Sequence, residues 1–313
     1  MVSSFVGTMR VYGAGGEVFD LGRRWAEDGV SGTTRRRHAT VAKKLNGTVA
    51  FVTGASSGIG AAMARDFARR GADVVLAARR WERLEALALE IRAQGRRALV
   101  VQCDVTADGD LESAVAEALD KLGRIDWVVA NAGFGVAGWF HRRELADYRR
   151  QFETNVFGVI RTAFATREAL EASGGCFAIM GSVMSHVSLP GTSPYAMSKH
   201  AVRALAASLR NEWRPRGVSV TLLAPGFVDS EIRQVGNDGQ RNPDAGDTVP
   251  RWLRMRTNTA ARKMVSAVVR RKREVVITFH GKVGVFLAQH TPGLLDFLVR
   301  VFGVKSSGAK KPD

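Results

Sequence analysis

A tyrosine and a lysine four residues apart, Tyr195 and Lys199, form a pair that could carry proton chemistry. They follow Pro194 in a helical segment, and residues four apart lie on the same face of a helix. A phenol has an ordinary pKa of about 10, so bringing it to neutrality requires about 4 kcal/mol of extra stabilisation of the phenolate. Because a nearby ammonium group contributes to that stabilisation, the pair indicates a tyrosine that exchanges a proton with a substrate.

The pattern Y-x-x-x-K is common and indicates little on its own. Other polar residues in the sequence strengthen the interpretation of this pair as catalytic. Ser182 lies 13 residues before Tyr195, directly after the predicted strand Cys176–Met180. Asn131 closes another predicted strand. The carboxyl ends of parallel strands meet at one edge of a sheet, where ligands bind. We expect the catalytic group to consist of Asn155, Ser182, Tyr195 and Lys199.

A glycine-rich segment, T-G-A-S-S-G-I-G, follows the first strand of the central region and opens a helix. Glycines let a phosphate approach the free backbone N–H groups and the positive end of the helix dipole, where a side chain would hold it away. A tight strand–helix connection is the alternative, but the flanking strand and helix favour a dinucleotide site. The expected cofactor contacts are Gly54, Ser56, Ser57, Gly58, Ile59 and Gly60.

The end of the second predicted strand indicates which dinucleotide binds. An acidic residue there would bind the ribose 2′-hydroxyl of NAD, whereas this chain has Ala78 followed by Arg79 and Arg80. Cations suit a 2′-phosphate, so we expect NADP(H) to be preferred, with NAD(H) as the alternative. The two arginines could instead begin a solvated helix. Asp104, after the third strand, could accept a hydrogen bond from adenine or cap its own turn.

The elements that must position these residues alternate from residue 45 onwards between short β-rich runs and helical segments. Such strands are joined by crossover connections, which make a parallel sheet covered on both faces. The predicted fold class is therefore α/β, a doubly wound parallel sheet of the Rossmann type in a single domain. The predicted strands are 48–53, 73–78, 98–103, 127–131, 176–180, 218–223 and 274–279.

Three regions are expected along the chain. Residues 1–44 form a basic and poorly ordered N-terminal extension. Residues 45–280 form the catalytic domain, with a substrate loop at 227–258. Residues 281–313 form a basic amphipathic tail.

This set of residues resembles the short-chain dehydrogenase/reductase family, which implies an NAD(P)-dependent enzyme acting on carbonyl or alcohol groups. The resemblance covers roughly residues 45–279, about three quarters of the chain. Ser230 stands where the family usually has threonine, and it keeps the hydroxyl that contacts the nicotinamide carboxamide. The residues that carry the resemblance, in the family's order and spacing, are Thr53–Gly60, Asn131-Ala132-Gly133, Asn155, Ser182, Tyr195, Lys199 and Pro225-Gly226.

The resemblance also implies a role for each residue. Tyr195 protonates the carbonyl oxygen in reduction and takes the proton back in oxidation, while Ser182 hydrogen-bonds that oxygen. Lys199 holds the ribose hydroxyls and lowers the pKa of Tyr195, and Asn155 anchors a water in a proton relay. The remaining implied cofactor contacts are Arg79 at the 2′-phosphate, Asp104, Val105, Asn131, Gly133, Pro225, Gly226 and Ser230.

The net charge of +16 does not belong to the catalytic region. Residues 1–44 carry 8 basic and 4 acidic side chains, residues 45–250 carry 24 and 23, and residues 251–313 carry 14 and 3. A nearly neutral centre argues against a nucleic-acid partner. The two cysteines suit a reducing compartment, so we expect a cytoplasmic protein. No histidine pair has the spacing of a metal site, so no metal is expected.

Apolar segments indicate the substrate and the surroundings. Aromatic and aliphatic loop residues near the catalytic edge predict a lipophilic carbonyl or alcohol, with ordinary loop packing as the alternative. A short tail helix with flanking cations could contact an anionic membrane surface, or could pack on its own domain or on a twin subunit. We expect a homo-oligomer, a dimer or tetramer. The apolar stripe of this helix comprises Leu294, Leu295, Phe297, Leu298, Val301 and Phe302.

A different class of function uses the same fold without catalysis. A non-catalytic NADP-binding redox sensor or scaffold would need the dinucleotide site but not the complete set of Asn155, Ser182, Tyr195 and Lys199. The presence of all four therefore favours an enzyme. A nucleic-acid binder is a third hypothesis, which rests on the pI near 10.8 alone.

Overall fold

The computed structural model describes residues 10–12, 18–20, 45–234, 236–237 and 249–302. Met1–Val41 form one unit and Ala42–Asp313 a second. In the first unit, strands β1 (Arg10–Tyr12) and β2 (Val18–Asp20) pair in antiparallel fashion. The rest of the expected extension over 1–44, the middle of the substrate loop at 238–248 and the tail from residue 303 lie outside the described residues.

The second unit is built on a seven-stranded parallel sheet, which confirms the predicted α/β, doubly wound fold class. The strand order is β5-β4-β3-β6-β7-β8-β9, so the chain builds one half of the sheet outward from β3 and then the other half outward from β6. A crevice forms where the direction of winding reverses, between β3 and β6. The strands are β3 Val49–Thr53, β4 Asp73–Ala78, β5 Ala98–Gln102, β6 Trp127–Ala130, β7 Cys176–Met180, β8 Ser219–Ala224 and β9 Glu274–Val276.

Helices cover both faces of this sheet. Ala50 and Val52 of β3 belong to one buried cluster, and Val49 and Phe51 belong to the other, because successive side chains of a strand point to opposite faces. None of the described helices is both long and apolar enough to cross a membrane. The helices are α1 Gly58–Arg69, α2 Trp81–Arg92, α3 Asp110–Leu122, α4 Leu145–Phe152, α5 Gly158–Ser173, α6 Ser193–Trp213, α7 Thr257–Val269, α8 Phe279–His290 and α9 Pro292–Phe302.

The end of the sheet differs from the prediction. A strand was expected over 274–279, but β9 ends at Val276 and α8 begins at Phe279. Thr278 causes this change, because its hydroxyl accepts a hydrogen bond from the N–H of Gly281 at 3.3 Å. That bond satisfies one of the N–H groups that the start of a helix leaves unpaired. The boundary expected after residue 280 therefore falls inside α8.

Candidate active site

A cleft of about 880 Å³ lies along the carboxyl edge of the sheet, where β3 and β6 diverge. Every residue expected to bind the cofactor lines this cleft, together with three of the four expected catalytic residues. Asn155 is the exception, since it is buried and does not line the cleft. The expected residues that line it are Gly54, Ser56, Ser57, Gly58, Ile59, Gly60, Arg79, Asp104, Val105, Asn131, Gly133, Ser182, Tyr195, Lys199, Pro225, Gly226 and Ser230.

The turn between β3 and α1 needs its glycines for two different reasons. Gly54 and Gly58 have φ of +65° and +54°, a left-handed conformation that side chains rarely adopt. Gly60 needs space instead, because a Cβ there would lie 2.5 Å from both the Gly54 carbonyl oxygen and the Asn131 side-chain nitrogen. The turn is therefore a close-packed backbone cradle at a helix N-terminus, which is the arrangement that a dinucleotide phosphate requires.

Asn131 joins the two halves of the sheet beneath this cradle. Its side-chain amide donates to the carbonyl oxygens of Thr53 at 2.9 Å and Gly54 at 3.3 Å. The Thr53 hydroxyl accepts in return from the backbone N–H groups of Asn131 at 3.0 Å and Ala132 at 3.1 Å. The glycine-rich turn is thus fixed to the end of β6, the neighbouring strand across the crevice.

Arg79 and Asp104 lie together at one end of the cleft. The Arg79 guanidinium is mostly exposed and lies 3.6 Å from the Asp104 carboxylate. That carboxylate also accepts from the backbone N–H of Thr106 at 3.0 Å and from its hydroxyl at 2.8 Å, so Asp104 does cap its own turn. Burial raises the pKa of Asp104, but the hydrogen bonds from Thr106 and the charge of Arg79 outweigh it and hold this pKa below its ordinary value.

Arg80 forms contacts that the sequence did not indicate. Its guanidinium donates to the hydroxyl of Ser57 at 2.7 Å and to that of Ser56 at 2.9 Å. It also lies 3.6 Å from the carboxylate of Glu231, which follows β8. Sequence reasoning placed Arg80 only next to Arg79, because the return of its side chain to the glycine-rich turn depends on how β3 and β4 pair.

Ser182 is held by the short 3₁₀ helix that follows β7. Its hydroxyl accepts from the backbone N–H of Met184 at 3.1 Å, and its own N–H donates to the hydroxyl of Ser185 at 3.1 Å. The Ser182 hydroxyl also lies 3.5 Å from the Pro225 carbonyl oxygen, which is a weak contact. The hydroxyl is therefore oriented by the backbone and can still donate a hydrogen bond into the cleft.

Tyr195 and Lys199 lie one turn apart on α6, as predicted. Both side chains line the cleft together with Ser182. The ammonium of Lys199 lies 5.5 Å from the centre of the Tyr195 ring and donates to the Met180 carbonyl oxygen at 2.8 Å. Burial raises the pKa of Tyr195 against a smaller opposing effect of Ser182, and burial lowers the pKa of Lys199 to about 8.

Asn155 is buried next to the cleft and does not line it. It lies in a single π-helical turn, Glu153–Phe157, where its side chain accepts from the Phe134 N–H at 3.1 Å and donates to the Phe134 carbonyl oxygen at 3.0 Å. The amide also donates to the Ser198 hydroxyl at 3.2 Å, and Ser198 belongs to α6. The side chain of Asn155 therefore connects the segment after β6 with the helix that carries Tyr195.

The substrate side of the cleft begins at Phe134, which lines it. Beyond Phe134, the N–H of Val136 donates to the side chain of Gln151 at 2.6 Å. In the substrate loop, the side-chain amide of Asn237 accepts from the N–H of Ala137 at 3.0 Å and donates to the carbonyl oxygen of Ala137 at 2.9 Å. Sequence reasoning missed Gln151 and Asn237, whose partners lie 15 and 100 residues away. Among the described residues, no cluster of side chains suits a metal ion.

Comparison with known proteins gives a consistent result. The family model described as short chain dehydrogenase matches residues 48–241. An A-factor type gamma-butyrolactone 1′-reductase (1S-forming) from Streptomyces virginiae is 39% identical over 210 residues, covering 66% of this chain and 81% of that protein. The 11-beta-hydroxysteroid dehydrogenase A of Sesamum indicum is 32% identical over 269 residues, covering 84% of this chain and 77% of that protein.

A solved structure is similar over much of the same fold. The alcohol dehydrogenase from the archaeon Thermococcus sibiricus, complexed with 5-hydroxy-NADP, has a TM-score of 0.64 at 28% identity. The match covers 73% of this chain and 95% of that protein.

The packing around Gly60 leads to a test of the cradle. Gly60→Ala places a Cβ against the backbone oxygen of Gly54, which cannot move without distorting the turn. We expect NADPH binding, measured by fluorescence titration, to weaken by at least about tenfold, which corresponds to about 1.4 kcal/mol. Gly284→Ala in α8 is the control, since a Cβ there meets no atom within 4 Å. Equal NADPH affinity for both variants would contradict the account of the turn.

Proposed function

The chain belongs to the short chain dehydrogenase family, and we propose that it is an NADP(H)-dependent enzyme that interconverts a carbonyl and an alcohol on a lipophilic substrate. As a member of this family it is an oxidoreductase that uses a nicotinamide cofactor. The main support for this proposal is that Ser182, Tyr195 and Lys199 line the same cleft as the glycine-rich turn and Arg79.

We assign the proton transfer to Tyr195. In reduction its hydroxyl donates a proton to the carbonyl oxygen, and Ser182 donates a hydrogen bond to the same oxygen. In oxidation Tyr195 accepts the proton from the alcohol. When bound, the nicotinamide ring supplies the hydride for reduction and accepts it for oxidation.

The environment of Tyr195 suits both directions. Burial raises its pKa, which keeps the phenol protonated and ready to act as an acid. The tyrosinate left after proton transfer faces the Lys199 ammonium on the same side of α6. Because the pKa of Lys199 is about 8, this ammonium form predominates at neutral pH and stabilises the tyrosinate.

Asn155 completes the proposed proton relay by anchoring a water. Because its side chain is engaged with Phe134 and Ser198, we assign the water to its backbone carbonyl oxygen. A backbone carbonyl remains in every variant, so substitution of Asn155 would act through the position of α6 and of the segment after β6.

Different cofactor residues are assigned to different parts of NADP(H). The glycine-rich turn, with Ser56 and Ser57, receives the pyrophosphate, and Lys199 binds the ribose hydroxyls. Arg79 contacts the 2′-phosphate, and Arg80 adds positive charge at the same end of the cleft. The adenine and nicotinamide ends are assigned to the remaining residues: Asp104, Val105, Asn131, Gly133, Pro225, Gly226 and Ser230.

A lipophilic substrate is supported by the rim of the cleft and by two relatives. Phe134 lines the cleft, and the side chains of Phe227 and Trp252, at the two ends of the substrate loop, are exposed to solvent. The relatives described above are a gamma-butyrolactone reductase and a hydroxysteroid dehydrogenase by name. A substrate with an extended apolar part would bury such aromatic side chains.

We further propose that the enzyme is cytoplasmic and that two of its exposed apolar surfaces make contacts. Leu294, Phe297 and Val301 share one face of α9 and are about half exposed. Since residues 251–313 carry a large excess of positive charge, we assign this face to an anionic membrane surface. Phe157, directly before α5, and Phe164, in the middle of α5, are exposed, and we assign them to a homo-oligomer contact.

Substitution of the proposed acid tests the reaction directly. Tyr195→Phe keeps the ring but removes the hydroxyl, so NADPH oxidation with a panel of carbonyls should fall by about 10²–10⁴-fold or more. NADPH affinity should change little. Full activity of the variant would refute the role of Tyr195. Wild-type protein that binds NADPH but turns over no carbonyl or alcohol would instead favour the redox sensor or scaffold.

Arg79→Ala tests the preference for NADP(H). Loss of a cation next to the 2′-phosphate should raise the KM for NADPH by about tenfold to a hundredfold. The KM for NADH should change little, because NADH has no such phosphate and serves as the internal control. Equal changes for the two cofactors would exclude the assignment of Arg79.

Vesicle sedimentation separates the two surface proposals. Phe297→Glu should abolish binding to vesicles that contain phosphatidylglycerol, and wild-type binding should weaken at high salt. Phe164→Glu should leave vesicle binding intact but lower the molar mass measured by light scattering. Wild-type protein that stays in the supernatant with anionic vesicles would refute the membrane contact, and a monomeric wild type would refute the oligomer.

A further inference from the structure

The turn after β8 is held by the start of α8. Pro225 and Gly226 line the cleft, and Phe227 begins the substrate loop. Gly226 packs so closely on α8 that a Cβ would collide with the hydroxyl of Thr278 and lie 2.7 Å from Nε2 of His280. The start of α8, at the expected boundary of the catalytic domain, therefore forms part of the support of the cleft wall.

His280 makes three contacts at this point. Its Nε2 lies 3.3 Å from the backbone nitrogen of Phe227 and 3.1 Å from the hydroxyl oxygen of Thr278. Its ring stacks on the Phe227 ring, with centres 5.3 Å apart and planes inclined by 27°. The imidazole thus binds both the backbone and the side chain of the first residue of the substrate loop.

The donors around His280 determine its protonation. A backbone N–H can only donate, so Nε2 must accept from Phe227 and carry no proton. The Thr278 hydroxyl accepts from Gly281 and can donate its own proton to the same nitrogen. The ring is therefore neutral, with its proton on Nδ1. Burial acts in the same direction and lowers the pKa of His280.

The contacts of His280 among the described residues are with Phe227 and Thr278, and neither residue is charged. Asp229, farther along the loop, lies 3.4 Å from Arg254, and Glu274 of β9 hydrogen-bonds with His186. Lys282 is the cation nearest in sequence on α8 itself. Burial is the cause that shifts the pKa of His280.

The same turn is tied to the catalytic residues on its other side. The carbonyl oxygen of Pro225 accepts from the N–H of Val183, the residue after Ser182, at 2.9 Å. The carbonyl oxygen of Phe227 accepts from the N–H of Met255 at 2.9 Å, where the substrate loop returns. A shift of Phe227 would therefore displace both the substrate loop at Met255 and the turn beside Ser182.

We propose that His280 is a positioning residue, which fixes Phe227 and thereby holds the substrate loop and the wall of the cleft in their working arrangement. Protonation of Nε2 turns an acceptor into a donor that faces the Phe227 N–H, which can only donate, so the contact with Phe227 is lost in acid. The kinetic consequences of this inference rest on the proposed carbonyl–alcohol activity, but the contact itself does not.

Two variants separate the hydrogen bond from the stacking. His280→Phe keeps a ring against Phe227 but lacks the acceptor, so the KM for the carbonyl substrate should rise by about fivefold to tenfold while kcat changes less. His280→Gln can still accept from Phe227 and should restore most of this loss. The matched control is His290→Phe, since His290 also lies on α8, and its ring stacks on Phe286 and hydrogen-bonds with the Phe286 carbonyl oxygen within the same helix.

The pH profile gives a readout that a merely structural role would not change. Wild-type kcat/KM should fall as the pH drops through the lowered pKa of His280, below about 6.5. His280→Gln cannot titrate, so this acidic limb should disappear, whereas His290→Phe should keep it. An unchanged limb in His280→Gln, or a normal KM in His280→Phe, would overturn the proposal.

An experiment without turnover distinguishes failure of this inference from failure of the proposed function. In NMR spectra of the full-length protein at neutral pH, the imidazole of His280 should be the neutral Nδ1–H tautomer. The Phe227 amide should be protected from hydrogen exchange in the wild type and in His280→Gln, but not in His280→Phe. An Nε2–H tautomer, or equal protection in all three proteins, would refute the positioning role even if no carbonyl were reduced.

Discussion

A buried ammonium group is the constraint on which the active site depends. Lys199 is only 5% exposed, and a charge removed from water must find hydrogen-bond partners inside the protein. Its bond to the Met180 carbonyl oxygen ties α6 to the carboxyl end of β7. Tyr195, one turn earlier on α6, is thereby placed beside Ser182, which lies two residues beyond the end of β7. The lowered pKa of Lys199, about 8, reflects the cost of this burial.

The sheet brings this proposed catalytic half together with the proposed cofactor half. Its winding reverses between β3 and β6, and Asn131 and Thr53 hydrogen-bond across that point. The glycine-rich turn is thereby held on one side of the cleft and the Ser182–Tyr195 pair on the other. Neither half alone would be sufficient, because hydride transfer requires the cofactor and the proton donor to reach the same carbon–oxygen bond.

The sequence was most informative where structure is local. The strands Asp73–Ala78 and Cys176–Met180 could be predicted to the residue, since each is an apolar or β-branched run with a clear change at both ends. The run at 274–279 is equally β-branched, and there the prediction was wrong because Thr278 starts a helix. Cleft residues such as Asn131 and Ser182 could be predicted because a parallel sheet gathers its strand ends at one edge. Others, such as Pro225 and Gly226, were expected from the resemblance to the family.

Contacts between distant segments could not be predicted in this way. Arg80 reaches Ser57, Asn237 pairs with Ala137, and His280 binds Phe227, across 23, 100 and 53 residues. Each depends on the path of the folded backbone, and no local pattern of residues specifies it. The same is true of the Asn155 side chain, whose contacts with Phe134 and Ser198 join segments 21 and 43 residues apart.

We propose that, with NADPH bound, a hydride passes to a carbonyl carbon in this cleft while Tyr195 protonates the oxygen. Isotope transfer tests it most directly: the enzyme is incubated with a ketone and NADPH that carries deuterium in both positions at C4, and the alcohol is analysed by mass spectrometry. The account predicts an alcohol with a single deuterium on the carbinol carbon. An alcohol whose carbinol hydrogen comes from water, without deuterium, would contradict it.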